Sequence, residues 1–267
     1  MTGLRFAAAA VLAIAAATPT ASSAASSAPG YHIVDRIPMS DGWWDYAYFE
    51  PVHRRLFVTR GNGVFKMDVD SGQIDQRVVP GSEGRAIISL PDGDIMLTTM
   101  AGYSAAIVFA AEDGTVAKKI RLKQSSDAAV YEPVTKRVWA MGGHGEAAIL
   151  DPVALTQTGA LDLGEELEFA QANGKGSIFV NGSDSRSVIA IDATAQKIIG
   201  RWKMKGCEDP TGMAYVKSLD VILSVCANKL LKVLDAGTGS ELATVPVGAH
   251  ADAVIYDETA KIGRAHV

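Results

Sequence analysis

Only two of the 267 residues are cysteine, Cys207 and Cys226, and they do not form a C-x-x-C pair. That excludes thiolate zinc clusters, dithiol redox motifs and c-type haem attachment. The chain also lacks a G-x-S-x-G elbow, an H-E-x-x-H helix and a P-loop. The usual signatures of serine hydrolases, zinc peptidases and nucleotide phosphate binding are therefore missing. No apolar run reaches the ~18 residues of a membrane-spanning helix. Positive charge is not in excess: the formal net charge is −5 and the pI about 5.6. Nucleic acid is thus disfavoured as the main partner, because phosphate binding leaves a basic footprint.

What the chain does have is a repeat. The stretch Phe179-Val-Asn-Gly-Ser-Asp-Ser-Arg-Ser-Val-Ile-Ala-Ile-Asp192 reads as strand, polar turn, strand. The same phrase returns at Phe57-Val-Thr-Arg60 through Asp68, and at Leu223-Ser-Val-Cys226 through Asp235. The residue closing the third strand of each unit is Asp68, Ala110, Asp151, Asp192 and Asp235, at steps of 42, 41, 41 and 43. The preceding strand centres on Phe57, Met96, Trp139, Phe179 and Leu223, at steps of 39, 43, 40 and 44. A period of about 40–45 residues with four short strands per unit marks a propeller blade. Helix-pair solenoids share the period. Short Val-, Ile-, Phe- and Thr-rich segments bounded by Gly and Asp turns favour strands instead.

The fold expected is all-β, a β-propeller of four-stranded blades over residues 31–261. Five full units fall at roughly 45–81, 85–124, 127–163, 168–205 and 209–249, and a sixth begins at 252. A seven-bladed ring in a longer natural protein is favoured over one of six or eight blades. Tyr31-His-Ile-Val-Asp-Arg-Ile-Pro38 reads as a lone strand that would close the last blade. Ahead of it, 1–24 reads as a signal peptide: Arg5 is the basic region, Phe6 to Ala17 the apolar core, with cleavage after Ala21 or Ala24. Residues 25–30 form a linker. The address expected is periplasmic or secreted. At the other end, Ile262-Gly-Arg-Ala-His-Val267 matches one reading frame of a short-read sequencing adapter, so 262–267 is read as a non-native tail on a truncated propeller.

Polar corners at Glu50-Pro-Val-His53, Pro91-Asp-Gly-Asp94, Glu132-Pro-Val-Thr135 and Asn173-Gly-Lys-Gly176 supply hairpin turns. The second strand of each unit is apolar at its centre, as a strand buried on both faces would be. Phe57, Trp139 and Phe179 there read as packing between blades. Cys207 and Cys226 flank the first hairpin of the fifth unit, where antiparallel pairing brings them to one edge, so a disulfide is expected.

The motifs Phe57-Val-Thr-Arg60 and Phe179-Val-Asn-Gly182, with Asp-x-x-x-Gly turns after Asp68 and Asp235, resemble the YVTN-repeat propellers, the exported YncE-like branch in particular. Trp139-Ala-Met-Gly142 and Ala110 depart from that pattern. The resemblance implies a ring around a central channel and a binding or scaffolding role, and it carries no catalytic residue.

One constellation comes from the repeat itself. Asp45, Arg85, Asp127, Glu168, Asp209 and Asp252 recur at steps of 40, 42, 41, 41 and 43, just before each innermost strand. In a propeller they would surround the mouth of the channel. Such a ring can hold Ca²⁺ or another divalent cation, which wants several oxygen ligands, or a cationic or hydroxyl-rich molecule. Hydrated turn caps account for the same residues without any ligand. His32, His53, His144 and His250 are scattered over different units and do not read as a metal set. The function expected is a monomeric, non-catalytic binding module for a small molecule, polymer or periplasmic protein. The alternative is a metal-dependent lactonase-like hydrolase using the mouth carboxylates. A quinone-dependent oxidoreductase has no supporting motif.

Overall fold

The computed structural model describes residues 36–266. The signal peptide, the linker, His32 and most of the lone strand read at 31–38 lie outside them. Residues 36–38 are not in a strand. From Met39 onward the chain forms one unit.

Blade one is β1 (Trp44–Glu50), β2 (Arg55–Arg60), β3 (Gly63–Asp68) and β4 (Ile74–Pro80). Blade two follows as β5 (Gly84–Ser89), β6 (Ile95–Met100), β7 (Ala105–Ala110) and β8 (Val116–Arg121). Blade three is β9 (Ser126–Glu132), β10 (Arg137–Gly142), β11 (Glu146–Asp151) and β12 (Thr156–Asp162). Blade four is β13 (Leu167–Ala172), β14 (Ser177–Gly182), β15 (Ser187–Asp192) and β16 (Lys197–Lys203). Blade five is β17 (Pro210–Val216), β18 (Val221–Cys226), β19 (Leu230–Asp235) and β20 (Glu241–Pro246). A two-stranded sheet, β21 (Ala253–Asp257) with β22 (Ile262–His266), begins the next. Each four-stranded sheet is an antiparallel meander in sequence order. The innermost strands β1, β5, β9, β13, β17 and β21 are successive neighbours. The protein is a β-propeller, and its units fall where the period puts them.

Burial explains the strand patterns. Every residue of β18 is buried, and β10 and β14 are buried after their first residue. The outermost β20 is exposed throughout. The core is therefore a series of layers between blades. Phe57 and Phe109 pack between blades one and two, Trp139 and Ile178 between three and four, Phe179 and Ile222 between four and five. Each large side chain buried this way contributes roughly 2 kcal/mol.

The recurrent acidic positions of the corners are turn caps. Asp151 Oδ1 accepts the backbone N–H groups of Val153 and Ala154, and Asp192 Oδ1 those of Thr194 and Ala195. Asp68, Asp235 and Asp257 do the same in their units. Blade two has Ala110 at that position and uses Asp113, which accepts from Thr115 N–H. At the other corner, the fully buried Glu132 accepts from Val134 and Thr135. These bonds satisfy backbone donors that the tight turn removes from the ladder. Gly61-Asn-Gly63 is likewise a hairpin turn. A Cβ on Gly63, at φ +144°, would stand 2.1 Å from Val79 O, so only glycine fits.

Cys207 and Cys226 are joined in a disulfide, both fully buried between blades four and five.

Candidate functional site: the channel mouth

Five of the six innermost strands start with a break in register, and β21 pairs with β22 without one. The shift lies between Trp44 and Ala47 in β1, between Gly84 and Ile87 in β5, and between Leu167 and Ala170 in β13. In β9 it leaves Asp127 without a ladder partner, between Ser126 and Ala128. In β17 it falls between Pro210 and Met213. An extra residue of this kind bends the strand and re-aims a side chain. Asp45, Arg85, Asp127 and Glu168 are the re-aimed residues. They stand inside their strands, one residue past the start, whereas the repeat put them just before; the bulge is the reason. Asp209 and Asp252 do immediately precede β17 and β21.

The bulges free backbone groups from the ladder, and polar residues of the neighbouring middle strands take them up. Thr59 Oγ1 donates to Tyr46 O at 3.2 Å. Thr99 Oγ1 accepts from Ala86 N–H at 3.0 Å. Asn181 Nδ2 donates to Thr211 O at 2.7 Å, while Ser224 Oγ donates to Asn181 Oδ1 at 2.9 Å. Thr59 and Asn181 are the third residues of the two motifs that open on Phe57 and Phe179. Their buried polar side chains thus shape the strand ends that carry the mouth residues.

On one side of the mouth the charges are paired. Arg85 Nη1 donates to Asp45 Oδ2 at 2.9 Å and its Nε lies 3.4 Å from Asp127 Oδ1. The guanidinium also sits 5.1 Å from the centre of the Trp43 ring, within cation–π range. Burial pushes the Asp45 carboxyl up, Arg85 pulls it back, and Asp252 and Asp127 add to the rise.

Among the described residues no lysine or arginine lines the other side. A recess of 620 Å³ is lined there by Glu166, Glu168, Asp209, Thr211, His250 and Asp252, among others. Glu168 is held up at about 7, first by burial and then by the negative charges of Asp127, Glu166, Asp252 and Asp209. The six positions read from the repeat therefore lie within electrostatic reach of one another, and Glu166, His250 and Trp43 stand beside them. Nothing in the period pointed to these three, because they stand in loops outside the repeated strands.

An aromatic pair lies next to these charges. Tyr46 stacks on Phe169 with ring centroids 5.0 Å apart. Burial, and then the negative charges of Asp45, Glu168, Asp252 and Asp127, raise the Tyr46 phenol well beyond its ordinary range.

Among the described residues no three His, Cys, Asp or Glu side chains are grouped so as to hold a metal ion. His53 is far from the mouth in the turn after β1, where it pairs with Glu50 at 3.1 Å and Asp94 at 3.5 Å. His144 lies in the turn after β10, its N–H on Gln124 Oε1. No described helix is long and apolar enough to cross a membrane.

This architecture defines a β-propeller with an acidic channel mouth. Among solved structures the chain is similar to one chain of "Crystal Structure of Mitotic Checkpoint Complex", with a TM-score of 0.69 and 16% identity. The match covers 93% of this chain and 78% of that one. At that identity the likeness is one of fold. No family model matches the chain, and no curated protein matches it.

Proposed function

We propose that the protein is a non-catalytic binding propeller of the exported, YVTN-like kind, and that its channel mouth receives a cationic group. The group is an ammonium or guanidinium, carried by a small molecule, a polymer or a side chain of a partner protein. The observation that carries this reading is the division of the ring. Arg85 already occupies the side made by Asp45 and Asp127, in the manner an incoming guanidinium would. The side made by Glu166, Glu168, Asp209 and Asp252 borders an open recess. Charge-assisted hydrogen bonds to carboxylates suit such a ligand. The hydrolase alternative needs a cluster of metal donors, and it draws no support from the grouping of these side chains.

Calorimetric titration with agmatine, and separately with Ca²⁺, tests the reading at pH 8. Agmatine binding that is lost in the Glu168→Gln/Asp252→Asn double variant is expected. Absence of agmatine binding to the wild type would refute it, and tight stoichiometric Ca²⁺ with esterase activity would return the hydrolase.

A further inference from the structure

The disulfide ends within a few atoms of the recess wall. Cys226 closes β18, and the next residue, Ala227, lines the recess. Cys207 is followed by Glu208 and then Asp209, which also lines it. The two short segments are bonded to each other: Ala227 N–H donates to Glu208 O at 2.9 Å and to Asp209 O at 3.2 Å. Asn228 adds a second tie, accepting from Glu208 N–H at 3.2 Å and donating to Gly206 O at 2.8 Å. From Ala227 the connection continues to the next unit, where His250 N–H donates to Ala227 O at 2.9 Å.

Asp209 itself has φ +44° and His250 φ +55°. Left-handed backbone is uncommon for residues other than glycine, although Asp, Asn and His adopt it more readily than most. Such conformations persist where surrounding bonds over-determine them. Here those bonds run through the two cysteine-flanked segments. Neither cysteine is exposed, so the bridge is not a surface ornament. The β17–β18 ladder runs from Met213 to Val216 on the far side of the bulge, and on the near side only Pro210 pairs, opposite Cys226 itself, so the bridge sits where that ladder is thinnest.

We propose that the Cys207–Cys226 disulfide is a clamp on the mouth, holding the Glu208–Asp209 backbone against Ala227 so that Asp209 and His250 keep their places on the recess rim. The clamp rests on the cation-binding reading for its consequence, weaker binding when it is opened, while its mechanical part can be read without any ligand. Opening it needs an external dithiol: two electrons and two protons pass to the cystine sulfurs, and the dithiol closes to its own cyclic disulfide.

The experiment uses the full chain, oxidised and after reduction by dithiothreitol, with thiol titration confirming two free thiols in the second sample. Amide hydrogen exchange is followed at Ala227 and His250, with Ala148 of blade three as an internal reference, and agmatine is titrated into both samples. Reduction is expected to lower protection at Ala227 and His250 at least tenfold, to leave Ala148 unchanged, and to weaken agmatine about fivefold. Unchanged protection at Ala227 in fully reduced protein overturns the clamp. Lost protection with unchanged agmatine affinity overturns its link to the mouth. Should the oxidised protein not bind agmatine at all, the cation-binding reading fails, and the exchange data alone decide the clamp. If the reduced protein unfolds, Cys207→Ala/Cys226→Val decides in its place: it removes the bridge, keeps the buried site filled with apolar side chains and leaves the Asn228 ties intact. Lower protection at Ala227 with weaker agmatine supports the proposal, and no change in both overturns it.

Discussion

Tyr46 of blade one and Phe169 of blade four stack with their ring centroids 5.0 Å apart and their planes inclined by 30°. They belong to blades that are not neighbours, so their contact crosses the axis of the propeller. Tyr46 also packs against the core layers on both sides of it, between blades one and two and between blades three and four. The pair therefore ties together parts of the ring that would otherwise interact only through intervening blades.

Truncating one partner should expose that tie. Phe169 is half-buried, so Phe169→Ala should cost less than the removal of a fully enclosed ring, about 2 kcal/mol. Urea denaturation measures it. A loss below about 0.5 kcal/mol, the range of ordinary surface changes, would mean that the axis contact bears no weight.

Asn181 is a second point where the strand motif acts on the mouth. It is fully buried, gives its amide N–H to Thr211 O and receives Ser224 Oγ–H. Asn181→Ala would leave the Thr211 carbonyl and the Ser224 hydroxyl without these partners inside the protein. The expected cost is about 2 kcal/mol, measured by denaturation, and because Thr211 lines the recess, agmatine binding should weaken as well. An Asn181→Ala protein of wild-type stability would show that the bulge of β17 holds itself.

Much of this was legible in the residues. The period placed every blade to within a few residues, since a hairpin meander repeats its apolar middle strand at a fixed interval. It also selected the six mouth positions, because each occupies the same place in its unit. The bulge was not legible: register is set by pairing with a neighbour, and Asp45 or Glu168 reads equally well before a strand or inside it. The division of the ring into a paired and an open side was also hidden. It depends on which carboxylates Arg85 reaches, and a spacing of 40 or 42 residues does not encode a 2.9 Å contact. Glu132 read as a corner residue and Asp151 as the close of a third strand; the burial of Glu132 and the bonds of both to their turns are what the structure adds.

The acidity of the mouth has a signed consequence. Glu168 is held at about 7 in the folded chain, against an ordinary value of 4.5. Its proton is bound more tightly in the folded state, so this group contributes less stability as pH rises from about 4.5 to about 7, and nothing further changes above that. Glu168→Gln mimics the protonated form. It should flatten that part of the pH profile and raise the melting temperature at pH 8 by about 3 °C, the shift that ~1 kcal/mol produces in a chain of this size. At pH 4.5 the two proteins should melt together. A lower melting temperature for Glu168→Gln at pH 8 would contradict the placement of Glu168 among like charges.

Arg85 sets the balance of the ring, and its removal should pull stability and binding in opposite directions. The guanidinium pairs with Asp45 and Asp127, whose side chains are 22% and 33% exposed, and it is itself 37% exposed. Water therefore screens the pairs, and Arg85→Gln should cost only about 1 kcal/mol. The same change leaves Asp45 and Asp127 facing Asp252 and Glu168 without their cation, so the Asp45 carboxyl, already raised, should rise further. The mouth then gains one unit of negative charge and an empty guanidinium position. Agmatine should bind Arg85→Gln more tightly than wild type at low ionic strength, and the gain should shrink in 0.5 M salt as the charges are screened. Calorimetry at two salt concentrations checks both parts. Weaker binding by Arg85→Gln at low salt would mean that the arginine positions the ligand, and that the open side of the ring is not the cation subsite.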